Sequence, residues 1–194
     1  LFNGSAQVIL KLLGIQPTRE HVHVHTAEEI AILVEESGAG GLLRQQERRL
    51  IENTLWMRRA SVRQIMVPRT RVMAASVDTP ISQLFGQLAN SYFSRLPLYD
   101  GSIDNIVGVV HLKDLLCLHA QAGMEGADVR VVMAPALFIP DSMPADEAFA
   151  LLQRKRNHVA IVLDEFGGTA GIVTLEDLIE EIFGEVQDEF DQEV

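Results

Sequence analysis

The string Gly171-Ile172-Val173-Thr174-Leu175-Glu176-Asp177 sets a glycine, an apolar pair, a hydroxyl and a carboxylate where an expected strand runs into an expected helix. Gly171 admits the close approach of a ligand or of another backbone. Thr174 falls at the N-cap of the helix that begins LEDLIEEI, where free backbone N–H groups and the helix dipole suit a phosphate ester or another anion. Asp177 lies one turn in, near the same face, and a carboxylate there can accept hydrogen bonds from both hydroxyls of a ribose. A plainer reading uses the same atoms, since Thr174 and an acidic first turn also make an ordinary helix cap. Context separates the two, because the string closes a unit that occurs twice. In the earlier copy, Gly108-Val109-Val110-His111-Leu112-Lys113-Asp114, the carboxylate is kept and His111 replaces the hydroxyl. An imidazole caps weakly, is bulkier than threonine and titrates near pH ~6.5, so binding at that copy would depend on pH. One ligand per chain is the expectation.

Other chemistries fit less well. Sixteen Lys and Arg against 27 Asp and Glu give a net charge of -11 over 194 residues, which excludes a surface built to neutralise phosphate backbones; nucleic acid is not an expected partner. No nucleophile elbow, Walker A string or metalloprotease motif occurs, so no catalytic residue is assigned. Cys117, the single cysteine, forms no internal disulfide and reads as a small apolar residue on the apolar face of a helix in a reducing compartment. His21, His23 and His25 in HVHVH would share one strand face, but nothing nearby completes a tetrahedral metal set, and a solvated linker is expected. The carboxylates of the tail EEIFGEVQDEFDQEV lack calcium-loop spacing and read as a solvated helix face leading into a linker. No metal site is expected on the chain itself.

These residues need elements to hold them. No apolar run reaches 18 residues. Leu1 to Gly14 carries Val8, Ile9, Leu12 and Leu13 at helical spacing and reads as the middle of a longer protein, either meeting a membrane or packing on a domain. Thr26 to Ser37 reads as a helix capped by Thr26 and Glu29, with Ile30, Leu33 and Val34 inward, ended by the glycines of SGAGG. Arg44 to Met57 reads as a second helix with Leu50, Ile51, Thr54 and Leu55 on its stripe and Trp56 buried.

The remainder repeats. Ile65-Met66-Val67-Pro68 answers to Val132-Met133-Ala134-Pro135, Arg95-Leu96-Pro97-Leu98-Tyr99-Asp100 to Val159-Ala160-Ile161-Val162-Leu163-Asp164, and the two glycine strings to each other, at an offset of about 64 residues. Each copy reads β-α-β-β-α. Asp78-Thr79-Pro80 and Pro144 precede the first helices, which carry Leu84, Phe85 and Leu88 in one copy and Ala148, Phe149, Leu151 and Leu152 in the other; Asp100-Gly101 and Gly167-Gly168 mark the hairpin turns. A unit of about 60 residues buries little alone, so two copies are expected to pack sheet to sheet or helix to helix.

The strings HTAEEIAILVEESGAGGLL, VRQIMVPRTRV, YFSRLPLYDGSIDNIVGVVHLKDLL and HVAIVLDEFGGTAGIVTLEDLIEEIFGEVQDEFD together resemble the CBS domain pair, or Bateman module, of the CorC/HlyC hemolysin-like proteins and their cyclin M-type relatives. The resemblance covers nearly the whole chain. It implies an α/β (α+β) fold of tandem βαββα repeats behind two linker helices: linker 1–60, first repeat 61–123, second repeat 124–187, and an acidic tail 188–194 leading to a further CorC/HlyC domain. It also implies a regulator rather than an enzyme, at the cytosolic face of a membrane, joined to a transmembrane domain that moves magnesium or cobalt. Its ligand would be ATP, or AMP or ADP, with magnesium accompanying the nucleotide, and the pair would form a homodimer. Carried over position by position, Thr174 and Asp177 match the phosphate and ribose contacts, Val67, Ile172 and Val173 the apolar and backbone contacts to adenine, and Phe93, Ser94 and Arg95 the segment beside ribose and phosphates. Arg95 would pair with phosphate oxygens; spacing alone suggests a surface salt bridge for it. The alternative function is a dimerisation module that binds nothing.

Overall fold

A computed structural model describes residues 26–122 and 128–184. The helix expected over Leu1 to Gly14, the HVHVH run and the tail beyond Gly184 lie outside the described residues.

Two helices form an antechamber to the repeats. Thr26 opens α1 (Ala27–Ala39) with a complete capping box: the Glu29 N–H donates to Thr26 Oγ1 at 3.2 Å, and the Thr26 N–H to Glu29 Oε2 at 3.1 Å. At the start of α2 (Gln45–Met57) only the reciprocal half of such a box is made, the Arg44 N–H donating to Glu47 Oε2 at 2.9 Å. α1 packs on α2, and α2 on the last helix, where Asn53 Nδ2 donates to the Ile182 carbonyl at 3.1 Å. Burial is thinner than the helical periodicity suggests. Val34 and Met57 are buried, but Ile30, Leu33 and Trp56 stand 38%, 46% and 40% exposed, because a two-helix hairpin has one partner face and its outer stripe meets no other element among the described residues.

Each repeat builds a small sheet covered by helices. In the first, β2 (Ala75–Ser76) runs parallel to β3 (Arg95–Tyr99), with α4 (Ile81–Ala89) as the crossover, and β4 (Ile106–His111) returns antiparallel before α5 (Leu112–Ala122). In the second, β5 (Phe138–Pro140), α6 (Ala145–Lys155), β6 (Val159–Leu163), β7 (Thr169–Thr174) and α7 (Leu175–Phe183) repeat the same order and pairings. Gly101 and Gly167, at φ 73° and 80°, turn the two hairpins. Leu84, Leu88, Leu96, Leu98, Val110 and Leu115 fill the first core; Ile139, Ala148, Leu152, Val162, Val173 and Leu178 fill the second. Leu115 and Leu118 take the inward face of α5, which leaves Cys117 exposed rather than on the apolar face.

The two halves do more than pack face to face: each lends its opening segment to the other. The segment before the first repeat, with α3 (Val62–Ile65) and β1 (Val67–Pro68), lies on the second repeat. The Val62 N–H donates to Met143 O at 2.9 Å, Arg63 N–H to Asp141 O at 3.0 Å, and β1 pairs antiparallel with β7, Val67 opposite Ile172 and Pro68 opposite Gly171. In return Ala134 exchanges two hydrogen bonds of 2.9 Å with Val109 on β4. An arginine clamps each crossing. Arg63 Nε donates to Asp141 Oδ2 at 2.7 Å, and Arg130 Nη2 to Asp78 Oδ1 at 2.9 Å.

This exchange explains the two strand glycines. A Cβ on Gly171 would lie 2.2 Å from the Val67 carbonyl oxygen, and one on Gly108 would lie 2.4 Å from Met133 Cγ and 2.8 Å from the Ala134 oxygen. Of the two approaches that Gly171 permits, the one it serves here is backbone against backbone. Gly171→Ala and Gly108→Ala are expected to cost about 2–3 kcal/mol or more in urea unfolding, as overpacking against main chain does. Gly86→Ala, on a helix face with nothing within 4 Å of the added carbon, is expected to gain up to about 1 kcal/mol. Arg63→Ala should lower the unfolding midpoint more than Arg130→Ala, because it strands Asp141, whose side chain is 9% exposed, whereas Asp78 is 72% exposed and stays hydrated.

Candidate functional site

Strand alternation decides what the β7 string presents. Gly171 and Val173 face inward, Val173 fully buried in the second core, while Ile172 and Thr174 lie half-buried on the other face. Of the apolar and backbone contacts expected of this pair, Val173 can therefore offer a ligand only its backbone. Ile172 does face outward, beside its strand partner Val67.

Thr174 caps α7 as its position requires. The Asp177 N–H donates to Thr174 Oγ1 at 3.0 Å, and the Thr174 N–H donates to Asp177 Oδ2 at 2.8 Å. The capping reading is thus realised, yet it uses one carboxylate oxygen and one lone pair of the hydroxyl. Asp177 Oδ1 and the Thr174 hydroxyl hydrogen have no partner among the described residues, so the box fixes the carboxylate without consuming it. Thr174, Asp177, Ile172, Val173 and Val67 are brought together at this junction.

Phe93, Ser94 and Arg95 lead into β3. Phe93 is 60% exposed, and the Ser94 carbonyl accepts the Leu112 N–H at 2.9 Å, tying the segment to the start of α5. Arg95 sits opposite His111 across the β3–β4 pair. Its guanidinium reaches Ser94 Oγ at 3.4 Å and has no carboxylate partner among the described residues, so the expected alternative of a surface ion pair is not what the side chain makes.

Arg95 also lines a cavity of about 160 Å³ on the first-repeat side of the cleft. Its floor is apolar, from Val109, Ala134, Pro135 and Leu137, and its walls carry Arg95, His111, Lys113, Asp114, Arg156 and His158. His111 Nδ1 accepts the Lys113 N–H at 3.1 Å, doing for α5 part of what Thr174 does for α7. Partial burial, then the positive charges of Arg95 and Lys113, hold this imidazole below the usual histidine range. His158 Nδ1 lies 3.0 Å from Glu176 Oε1. Arg156 and His158 escaped sequence reasoning, although the run Arg154-Lys155-Arg156-Asn157-His158 stands out in so acidic a chain. A larger cavity of about 500 Å³, lined by Arg63, Asp141 and Glu165 among others, lies elsewhere. Its arginine is already engaged by both carboxylates, which makes it a poor anion receiver.

The two repeats have counterparts in other proteins. The model of the CBS domain family matches residues 62–119 and 127–184. Among curated proteins, UPF0053 protein YugS of Bacillus subtilis is 34% identical over 193 residues, which are 98% of this chain and 44% of that protein. The magnesium and cobalt efflux protein CorC of Pasteurella multocida is 34% identical over 166 residues, 86% of this chain and 55% of that one. The chain thus spans about half the length of these relatives. Among solved structures, the CBS domain of the bacterial CNNM/CorC family Mg2+ transporter superposes with a TM-score of 0.79 at 38% identity, covering 85% of this chain and 100% of that one. The same kind of domain in complex with ATP gives 0.69 at 41% identity, covering 73% and 99%. With both repeats matched and a solved domain of this kind covered from end to end, the chain belongs to the CBS domain family as a tandem pair, of the sort found in CNNM/CorC proteins.

Proposed function

We propose that this chain is the adenine-nucleotide-binding regulatory module of a membrane protein that transports magnesium or cobalt, and that it does no catalysis itself. The observation that carries the reading is the Thr174–Asp177 box: it presents an oriented carboxylate oxygen and a hydroxyl at a helix N-terminus, beside the outward-facing Ile172 and its partner Val67. The ATP complex of a similar domain supports it. In this reading Asp177 Oδ1 and the Thr174 hydroxyl hold the ribose and the first phosphate. The Val67–Ile172 pair flanks the base, and the segment Phe93-Ser94-Arg95 faces the phosphates. Arg95, with no acidic partner among the described residues, is the side chain suited to phosphate oxygens.

Among the described residues no cluster of three His, Cys, Asp or Glu side chains is placed to hold a metal ion. Magnesium would therefore arrive with the triphosphate, screening its charge against an acidic chain. Among the described residues no helix is long and apolar enough to cross a membrane. The module would sit at the cytosolic face, joined by α1 and α2 to a transmembrane domain and followed by a CorC/HlyC domain. It would act as a homodimer. Nucleotide would bias the transport domain only through differential affinity for two arrangements of that dimer.

One observation favours a second reading, a dimerisation module without ligand: Thr174 and Asp177 already satisfy each other. Thermal unfolding separates the two. A nucleotide at 100 times its Kd adds about 2.7 kcal/mol of stability, a shift of several degrees, whereas the ligand-free module shows none with any adenine nucleotide. Asp177→Asn keeps an oxygen for the Thr174 N–H but removes the charge, and is expected to weaken ATP binding by about tenfold or more in calorimetry. Thr174→Ile should do the same and in addition cost about 1 kcal/mol of stability from the lost cap. Unchanged affinity in both would remove the site from this junction. Arg95→Ala is expected to weaken ATP more than adenosine; equal loss for both would mean that Arg95 does not meet phosphate.

A further inference from the structure

The cavity on the first-repeat side gathers three fixed cations, Arg95 from β3, Lys113 from α5 and Arg156 from the turn before β6, in a chain of net charge -11. At about 160 Å³ it is small beside a whole-ligand pocket and of a size for a phosphate group. Arg156 reaches the cavity from the end of a helix. It ends α6 at φ 54°, ψ 33°, the single non-glycine residue at positive φ among those described, where glycine or asparagine is the ordinary choice. Among these cations stands His111, the residue that replaces a hydroxyl.

We infer that filling this cavity with a phosphate group is coupled to the uptake of one proton by His111. In the free protein His111 Nδ1 accepts the Lys113 N–H, so that nitrogen carries no proton and the ring proton resides on Nε2. The groups that face the ring are Arg95 across the strand pair, Lys113 and Asp114 on its own helix, and Arg156 and His158 from the turn before β6. The His158 ring is tied in turn to Glu176 on α7. Positive charge dominates this set, and it disfavours a further proton. A phosphate dianion seated among Arg95, Lys113 and Arg156 reverses the field at the ring. A proton from solvent then adds to the Nδ1 lone pair, the new N–H faces the anion, and the Lys113 N–H is released to the same anion.

The sign follows from linkage. A bound phosphate dianion raises the pKa of His111 above its free value, so affinity for the dianion falls as pH rises through the bound-state pKa, by up to about tenfold for each unit of separation; below about pH 6 the phosphate itself takes up a proton, so binding of total phosphate is strongest near that pH. The empty protein behaves in the opposite way. Its neutral, depressed His111 favours the fold above about pH 6.5, and that contribution is lost as pH falls toward the folded pKa. Between the second pKa of phosphate and the bound-state pKa of His111, a falling pH therefore penalises the empty cavity and favours the filled one.

The phosphate has two possible sources: the tail of a nucleotide held at Thr174 and Asp177, or free phosphate. The inference rests on the nucleotide reading only for the first source. Proton NMR of the six histidines between pH 5.5 and 8.5, in the whole chain alone, with inorganic phosphate and with ATP, reads the effect directly. His111→Gln identifies the resonance and retains an acceptor for the Lys113 N–H.

An upward move of the His111 midpoint with either probe supports the inference, and ATP acting alone identifies the nucleotide tail as the source. Calorimetry of ATP in two buffers of different ionisation heat should show proton uptake that His111→Gln abolishes. If ATP binds and leaves the His111 midpoint in place, the inference fails and the nucleotide reading stands. If inorganic phosphate moves the midpoint while ATP does not bind, the inference stands and that reading fails. Binding of neither probe overturns both.

Discussion

The reciprocal loan of one short strand holds the structure together. β1 completes the sheet of the second repeat and the segment at Ala134 touches the sheet of the first, each where a glycine leaves room for main chain. Neither repeat could close its sheet edge or its core with its own residues, because Met57, Ala60 and Val62 belong to the second core, and Val129, Val132 and Met133 to the first. The pair is therefore one cooperative unit, and its duplication is a division of labour rather than two beads on a string.

The same loan creates the cleft. Each strand-to-helix junction acquires, from across the boundary, a Val-Pro or Ala-Pro segment, and at the His111 junction the lead-in to β6 comes up beside it. Any molecule bound there touches both repeats at once, so occupancy bears on their relative placement with no separate hinge. Where the copies differ, chemistry differs. The Thr174 junction offers a hydroxyl and a carboxylate suited to a sugar, while the His111 junction offers an imidazole ringed by arginine and lysine, suited to an anion that brings a proton.

Much of this was legible in the sequence because it was local. The N-caps Thr26 and Thr174, the hairpin glycines and the β-α-β-β-α order each depend on neighbours a few positions away. The losses were non-local. β1 is two residues long and ends in proline, so no propensity announces it; it exists because Gly171, far along the chain, accepts it. The exposure of Trp56 and Ile30 depends on which partner α1 and α2 find, which helical periodicity does not state. Strand alternation turns Ile172 and Val173 to opposite faces, so of the apolar and backbone contacts expected of this pair the side chain is left to Ile172 and the backbone to Val173. Arg156 ran against its own propensity, since arginine is a poor choice for a left-handed helix end.

That last exception bears on how an acidic chain comes to hold an anion. Long-range repulsion from a net charge of -11 is screened over about 8–10 Å at physiological salt, whereas a cation lining a cavity acts at contact distance. What matters is the local balance: Arg95, Lys113 and Arg156 line one cavity, with Asp114 the only carboxylate on its wall among the described residues, and Glu176 meets His158. The surface keeps nonspecific polyanions away while the cleft remains attractive to a small one. A compact ligand that enters with magnesium, or with a proton, reduces its own repulsion from that surface as it binds. The overall charge thus acts as a filter on ligand size and charge state, and the two junctions supply the recognition.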